Sequence, residues 1–363
     1  MSESPASDAW YSYEGPENDV ALSTRVRLAR NLANYPFPGN FRGDDARQVQ
    51  TLVFDSVANS AQAEHFQALP AVALDSLGAR IMTERGVIPA DMVKAPGGGI
   101  VMRNDGKVCC TVNGSDHVHI IAFAPGLSCD TAFNECSLMD SQLQERLQFA
   151  ASYDYGFLTS SLKDCGSGLR ISVRLHLPSL SFTGRMGEFS QDLAKKGLEL
   201  SACYGAGSES GSSLGSYYQL ATGYAAQGSE LAQTAGLLSA VETVINAERR
   251  ARAKLVKEHA TKVQDAVYRS YARSRFALLM SLREAVETIS GLKWGADLGL
   301  LHGISYSTLH ALLYRVQEGH LQFVLKNGLF TFPKDIAADS SLQIQRLRSL
   351  ILQEALENVK LGD

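Results

Sequence analysis

The chain has 363 residues, 45% hydrophobic and 20% charged, with a formal net charge of −4. That is room for one large domain or two smaller ones, and it offers no basic excess to draw in nucleic acid or an anionic membrane. No apolar run is long enough to span a bilayer, and the opening MSESPASDAW lacks the basic and apolar regions of a signal peptide, so a cytoplasmic protein is expected.

Residues 1 to about 20 are polar and are expected to be loose. The first predicted strand is LSTRVRLARN, where Leu22, Thr24, Val26 and Leu28 alternate with Ser23, Arg25 and Arg27. Period-two alternation gives one apolar and one cationic face. A helix is expected from near Asp44, with Val49, Leu52, Val53 and Val57 at helical spacing. AVALDSLGARIMTERGVIP is ambiguous between helix and strand. The stretch APGGGIVMRNDGKVCCTVNGSDHVHIIAFAPG reads as a β-meander turning at Asp105-Gly106, and Asp130–Ala151 reads as helix. Six cysteines (Cys109, Cys110, Cys129, Cys136, Cys165 and Cys203) form no CxxC pair and no zinc-ligand spacing with the histidines, so reduced, mostly buried thiols are expected. Cys109 and Cys110, neighbours on a strand, should face opposite ways.

The next stretch, YGFLTSSLKDCGSGLRISVRLHLP from Tyr155 to Pro178, organises the chain. Gly166 and Gly168 flank Ser167 in a turn where backbone N–H groups could approach an anion. Ile171, Val173, Leu175 and Leu177 then alternate with Arg170, Ser172, Arg174 and His176. Two strands with cationic faces suggest arginines pooled in one pocket, where like charges repel unless an anion neutralises them. The competing reading is a pair of half-exposed strands with solvated arginines. A helix around Phe189–Lys196 follows, then a Gly-Ser-rich loop from Gly205 to Gly215, and from Glu230 onward the composition turns helical. The basic run ERRARAKLVK there is read as a solvated helix face.

Taken together, LSTRVRLARN, VNGSDHVHI, YGFLTSSLKDCGSGLRISVRLHLP, YGAGSES, AVYRSYARS and WGADLGLLHGIS resemble the ATP:guanidino phosphotransferase (phosphagen kinase) family, in its bacterial protein-arginine kinase (McsB) branch. The resemblance covers nearly the whole chain. It implies an α+β fold: a curved, mostly antiparallel sheet flanked by helices over residues 1–230, then an α-helical C-terminal dimerisation domain over 231–363. It implies ATP with Mg2+ as cofactor, protein substrates, a homodimer, and partners such as a McsA-like zinc-binding activator and Clp ATPase components; nucleic acid and membrane are not expected partners.

The resemblance also marks what this chain has changed. Ser23, Arg25, Arg27, Arg170, Ser172 and Arg174 fall on the family's nucleotide-binding strands. Where the family has Asn-Glu-Glu-Asp-His-x-Arg, this chain has Asn113, Gly114, Ser115, Asp116, His117, Val118 and His119. A nucleotide-contacting arginine has thus become His119, and the presumed catalytic carboxylate has become Ser115. The glutamate of the Tyr-Gly-Glu-Gly loop is Ala206. The loop thiol is Ser161, with Cys165 four positions later; a family arginine matches Ser201, and a histidine matches Gly86. The phosphoarginine-reading Arg-Asp pair falls at Ile336 and Ala337. Guanidinium phosphorylation needs carboxylates to hold and deprotonate a cationic nucleophile and cations to bear transition-state charge. Two readings follow: a degenerate pseudokinase with a regulatory or scaffolding role, binding ATP weakly or not at all, and an active protein-arginine kinase with a relocated carboxylate such as Asp116 or Glu209. A weaker third is a module that binds phosphorylated protein. If His119 serves as an imidazolium, anion affinity should fall as pH rises from about 6 to 8.

Overall fold

Alternating sequence becomes the central sheet. The computed structural model describes residues 9–205, 213–226 and 228–362. Eight strands form the sheet: β1 (Ala21–Arg30), β2 (Phe66–Pro70), β3 (Gly99–Arg103), β4 (Val108–Val112), β5 (Val118–Pro125), β6 (Leu169–His176), β7 (Leu198–Ala202) and β8 (Tyr217–Thr222). Their order is β2-β3-β4-β5-β1-β6-β8-β7, and every pairing is antiparallel. The expected meander is β3–β5. Helices are α1 (Asp45–Ala58), α2 (Ser76–Glu84), α3 (Cys129–Gln144), α4 (Pro178–Phe182), α5 (Met186–Lys195), α6 (Glu230–Glu258), α7 (Ala260–Phe276), α8 (Leu282–Asp297), α9 (Tyr306–Arg315), α10 (Glu318–Asn327) and α11 (Ser340–Ala355). An antiparallel sheet flanked by helices, followed by a helical C-terminal region, is what the sequence predicts. The ambiguous segment contains helix α2, whose start is capped by Asp75 accepting the Gly78 N–H.

One sheet face is mainly apolar. Val26, Leu28, Ile120, Ile171 and Val173 bury completely or nearly so, under α1, α3 and the first turns of α6. Each such side chain contributes about 1.5–3 kcal/mol on leaving water, which fixes the strand register. Cys110 joins this core while Cys109 packs on the opposite face, as their adjacency requires. Leu22 departs from the predicted alternation. A register shift between Ala21 and Ser23 turns it into a second core, with Leu214, Tyr217 and the C-terminal helices. Helix α6 belongs to both cores, through Leu237, Val241 and Val244 in the first and Leu255 in the second. Its basic residues are not all solvated: Arg249 and Arg252 pair with Asp19, ahead of β1, and Lys293 of α8 donates to the Asp19 carbonyl at 2.7 Å.

Candidate functional site

The opposite sheet face carries the arginines. In register, Arg25 lies between Phe123 of β5 and Ser172 of β6, and Arg27 between Ile121 and Arg170. A cleft of about 680 Å³ opens over them, lined by Arg25, Arg27, Gly86, Lys94, Ser115 and His119 among others. A second, of about 490 Å³, is lined by Phe37, Phe41, Asn113 and Ser160; the two share Ala95, Gly114 and Ser115. Among the described residues the second lining contains no carboxylate.

The arginines differ in their partners. The Arg25 Nε is buried without a hydrogen-bond partner, its guanidinium sits over the Phe123 ring, and burial, then Arg27, pushes its pKa down to about 10. It remains a cation at neutral pH. Arg27 is 2.6 Å from the Asp164 carboxylate, an ion pair without hydrogen-bond alignment. Arg170 is 2.5 Å from Glu199 of β7, which also takes Lys163 at 2.8 Å. The unbalanced cluster expected from sequence is therefore partly balanced from within. Asp164 and Glu199 were missed because they lie 137 and 29 residues from the arginines they meet; the one signal was an acid next to the Gly-x-Gly turn. Arg30, at the end of β1, is held on the core side by Asp140 at 2.9–3.0 Å and lies over Phe157.

The turn from β4 into β5 is rigid. Asn113, at φ +58°, donates to the Ala46 and Gly97 carbonyls at 2.7 and 2.8 Å. Asp116, 1% exposed, accepts from Asn31 Nδ2 and the Ser160 N–H, each at 2.7 Å, and lies 3.0 Å from His119 Nε2. Burial pushes its pKa up, but these donors prevail and hold it at about 2. His119 lines the larger cleft, yet burial and then the Arg27 charge push its pKa below the ordinary 6.5, against the pull of Asp116. Both effects disfavour the imidazolium form on which a pH-dependent anion affinity would depend. His117 points away, accepting the Leu32 N–H at 2.9 Å and stacking on Phe41.

Ser23, Ser172 and Arg174 lie on the same face but under cover. Arg174 donates to the Tyr314 hydroxyl of α9 at 3.0 Å, and that phenol holds its guanidinium above the ordinary value. Trp10 stacks on Phe123 with ring centres 5.0 Å apart, and Tyr11 stacks on Tyr314 at 4.2 Å. His176 is wholly buried against Ser290 of α8 at 2.8 Å. The helical region thus closes the lower end of the cationic face, and the cleft retains Arg25, Arg27 and His119.

Two N–H groups of the Gly166–Gly168 turn are already used within the protein. Gly166 N–H donates to Phe157 O and Leu169 N–H to Ser167 Oγ. Gly168, at φ +70°, is required by packing: a Cβ there would meet Ala29 O at 2.5 Å. Ser161 bonds within its own loop through Lys163 N–H, and neither it nor Cys165 lines either of these two clefts. Ser201 is exposed on β7, Gly86 lines the cleft, and Ile336 is buried. Ala206 and Glu209 lie outside the described residues.

The profile described as ATP:guanido phosphotransferase, C-terminal catalytic domain, matches residues 48–251, and that of the protein-arginine kinase McsB C-terminal domain matches 260–360. The protein-arginine kinase of Halothermothrix orenii (strain H 168) is 31% identical over 329 residues, 90% of this chain and 93% of that protein. The chain belongs to the ATP:guanido phosphotransferase family, in its protein-arginine kinase branch. The protein-arginine kinase of Geobacillus kaustophilus (strain HTA426) is 32% identical over 334 residues, 91% of each chain. In fold, this phosphotransferase family member resembles lombricine kinase, with TM-score 0.56 and 17% identity over 69% of this chain and 72% of that one. It also resembles the duplicated taurocyamine kinase from Schistosoma mansoni with bound transition state analog components, with TM-score 0.59 and 17% identity. That match covers 78% of this chain and 41% of the duplicated one.

The family is ATP-dependent. Against a triphosphate the fit is incomplete: the unpartnered Arg25 Nε suits one anionic group, while Arg27 and Arg170 already face carboxylates. Among the described residues no group of three or more His, Cys, Asp or Glu side chains is placed to hold a metal ion. No helix among them is long and apolar enough to cross a membrane.

Proposed function

We propose that this chain is a degenerate protein-arginine kinase homologue: it keeps the fold and an anion site but does not transfer phosphate from ATP to arginine, and it acts as a regulatory or scaffolding member. One observation carries this. Where the two clefts meet, the chain supplies Gly114 and Ser115, and the adjacent Asp116 is buried and fully engaged by three donors. A guanidinium entering there meets no free carboxylate from the β4–β5 turn to hold it or take its proton; the carboxylate that does line the larger cleft, Asp91, comes from the loop before β3. Losing one well-placed electrostatic group costs about 10²–10³ in rate, so activity far below that of an intact relative is expected. The test is phosphoarginine formation on a protein substrate with ATP and Mg2+. Product at a rate near that of an active relative, abolished by Arg170→Ala, would overturn the reading.

The alternative is an active protein-arginine kinase. It rests on His119, which lines the cleft with the Asp116 carboxylate behind it and could serve as a base. Activity lost in His119→Ala would favour it. The proposal places the protein in the cytoplasm as a homodimer, with protein partners of the kind the family implies: a McsA-like activator and Clp components. The family relationship supports that setting. We also propose two functional units, one with the sheet and its clefts (1–230) and one helical (231–363).

A further inference from the structure

The three outward arginines of the sheet would serve a polyphosphate as a continuous track. Arg25 and Arg27 alternate along β1, and Arg170 faces Arg27 directly across the β1–β6 pairing. A phosphate chain bound along this line would be drawn past all three. Two of the three positions, however, carry a built-in counter-charge. Asp164, on the loop before β6, sits 2.6 Å from Arg27, and its side chain is 11% exposed. Glu199, on β7, sits 2.5 Å from Arg170. The Glu199 contact is shared with Lys163, which lowers the carboxyl pKa, so Glu199 stays ionised at neutral pH.

Arg25 is different. Among the described residues no carboxylate lies within ion-pair distance of it, and its buried Nε has no acceptor. Lys94, exposed on the rim of the same cleft, adds a second cation, and Asp91, also exposed there, is the carboxylate of that lining. One arginine on this face therefore lacks an ion-paired anion, while the next two already have one. A second phosphate group placed near Arg27 would have to displace or sit beside Asp164, and a third would meet Glu199; like charges so close oppose binding.

We propose that Asp164 and Glu199 set the ligand specificity of this face: they restrict it to a compact ligand with a single phosphate-type group, seated at Arg25 beside Lys94, and they select against triphosphates. This rests on the reading of the cleft as a retained anion site. A monoester carries about −1.5 to −2 at neutral pH, enough to satisfy Arg25 and Lys94 without entering the paired region. The ion pair at Arg27 lacks hydrogen-bond alignment, so Asp164 acts there as a charge, and an uncharged isostere should remove its effect while leaving the loop in place.

The experiment is calorimetric titration of the full chain with orthophosphate, with AMP and with ATP at low ionic strength. It is repeated on Asp164→Asn, Glu199→Gln, the double variant and Arg25→Ala, with circular dichroism confirming the fold of each. The wild type should bind AMP at least as tightly as ATP. The double variant should bind ATP at least 10-fold more tightly while AMP affinity moves less than 3-fold. Arg25→Ala should abolish AMP binding. Wild-type affinity for ATP 10-fold or more above that for AMP would overturn the proposal, as would an unchanged ATP-to-AMP ratio in folded single and double variants. Absence of AMP and orthophosphate binding to the wild type would also overturn it, leaving the arginines as solvated side chains. Tight ATP binding without phosphoarginine formation sinks this inference and leaves the degenerate reading standing. Phosphoarginine formation with the expected ligand ratio does the reverse.

Discussion

Asp116 accepts from Asn31 and the Ser160 N–H, and pairs with His119, while almost wholly enclosed. It ties β1, the β4–β5 turn and the loop before β6 to one point. Asp116→Ala would strand three donors, one on a buried imidazole, and should lower stability by about 3–5 kcal/mol in chemical denaturation; a loss below about 1 kcal/mol would show the hub is dispensable. The histidines set the pH response. His117, His119, His176 and His310 all have pKa values pushed below 6.5, chiefly by burial, His310 to about 3. A folded-state pKa below the unfolded one means that above pH 6.5 both states are neutral and nothing is gained or lost. Below it the unfolded chain binds protons that the folded chain refuses. Each such histidine removes up to about 1.4 kcal/mol of stability per pH unit, so the denaturation midpoint should fall steadily below pH 6.5. Affinity for sulfate, whose own charge is constant over the range, should by contrast change little between pH 6 and 8, since burial and Arg27 disfavour the charged form of His119; a marked weakening would restore the imidazolium.

The strands show what sequence can and cannot reveal about an element. Alternation placed Val26, Leu28, Ile171 and Val173 inside and Arg25, Arg27 and Arg170 outside, because a period of two leaves no other arrangement for a sheet with one apolar face. It misplaced Leu22, since a one-residue shift in pairing has no mark in composition. The pairings Arg27–Asp164 and Arg170–Glu199 were illegible for a related reason: they depend on which loop and which edge strand come to lie beside the arginines. The glycine turn was legible as a turn, but its close packing was not. Its glycines serve close packing, which gives a direct contrast. Gly168→Ala must take φ +70° and push into Ala29 O, and should lower the melting temperature by several degrees. Gly236→Ala, inside α6 with open space around it, should raise stability by about 0.5–1 kcal/mol. Equal effects at both sites, read by thermal melting, would contradict this assignment.

At the scale of the whole molecule, two cores meet along α6 and at the Asp19–Arg249–Arg252–Lys293–Asp297 cluster. Lys293 and Asp297 are 1% and 0% exposed in their side chains, so their attraction has no competing water. Lys293→Ala would leave Asp297 buried with one less cation. The helical region also presents apolar side chains to solvent: Phe276 is 78% exposed, Leu278 69% and Leu329 103%. The proposed homodimer would cover such side chains, and the match of this region to the C-terminal profile is what supports it. Light scattering at micromolar concentration should give twice the 39.2 kDa chain mass, and a monomer alone would count against the proposal.

The chain has two tryptophans, and their placement makes the molecule its own optical gauge. Trp10 is sandwiched between Phe123 of the sheet and Tyr314 of α9, next to Arg25 and Arg174, while Trp294 lies elsewhere, beside Phe182 and donating to Ser179 Oγ at 3.1 Å. With Trp294→Phe, emission reports Trp10 alone. A ligand confined to Arg25 should leave that emission blue and unquenched. One that reaches Arg174 must first part the aromatic layer, and the indole will shift to the red as water reaches it.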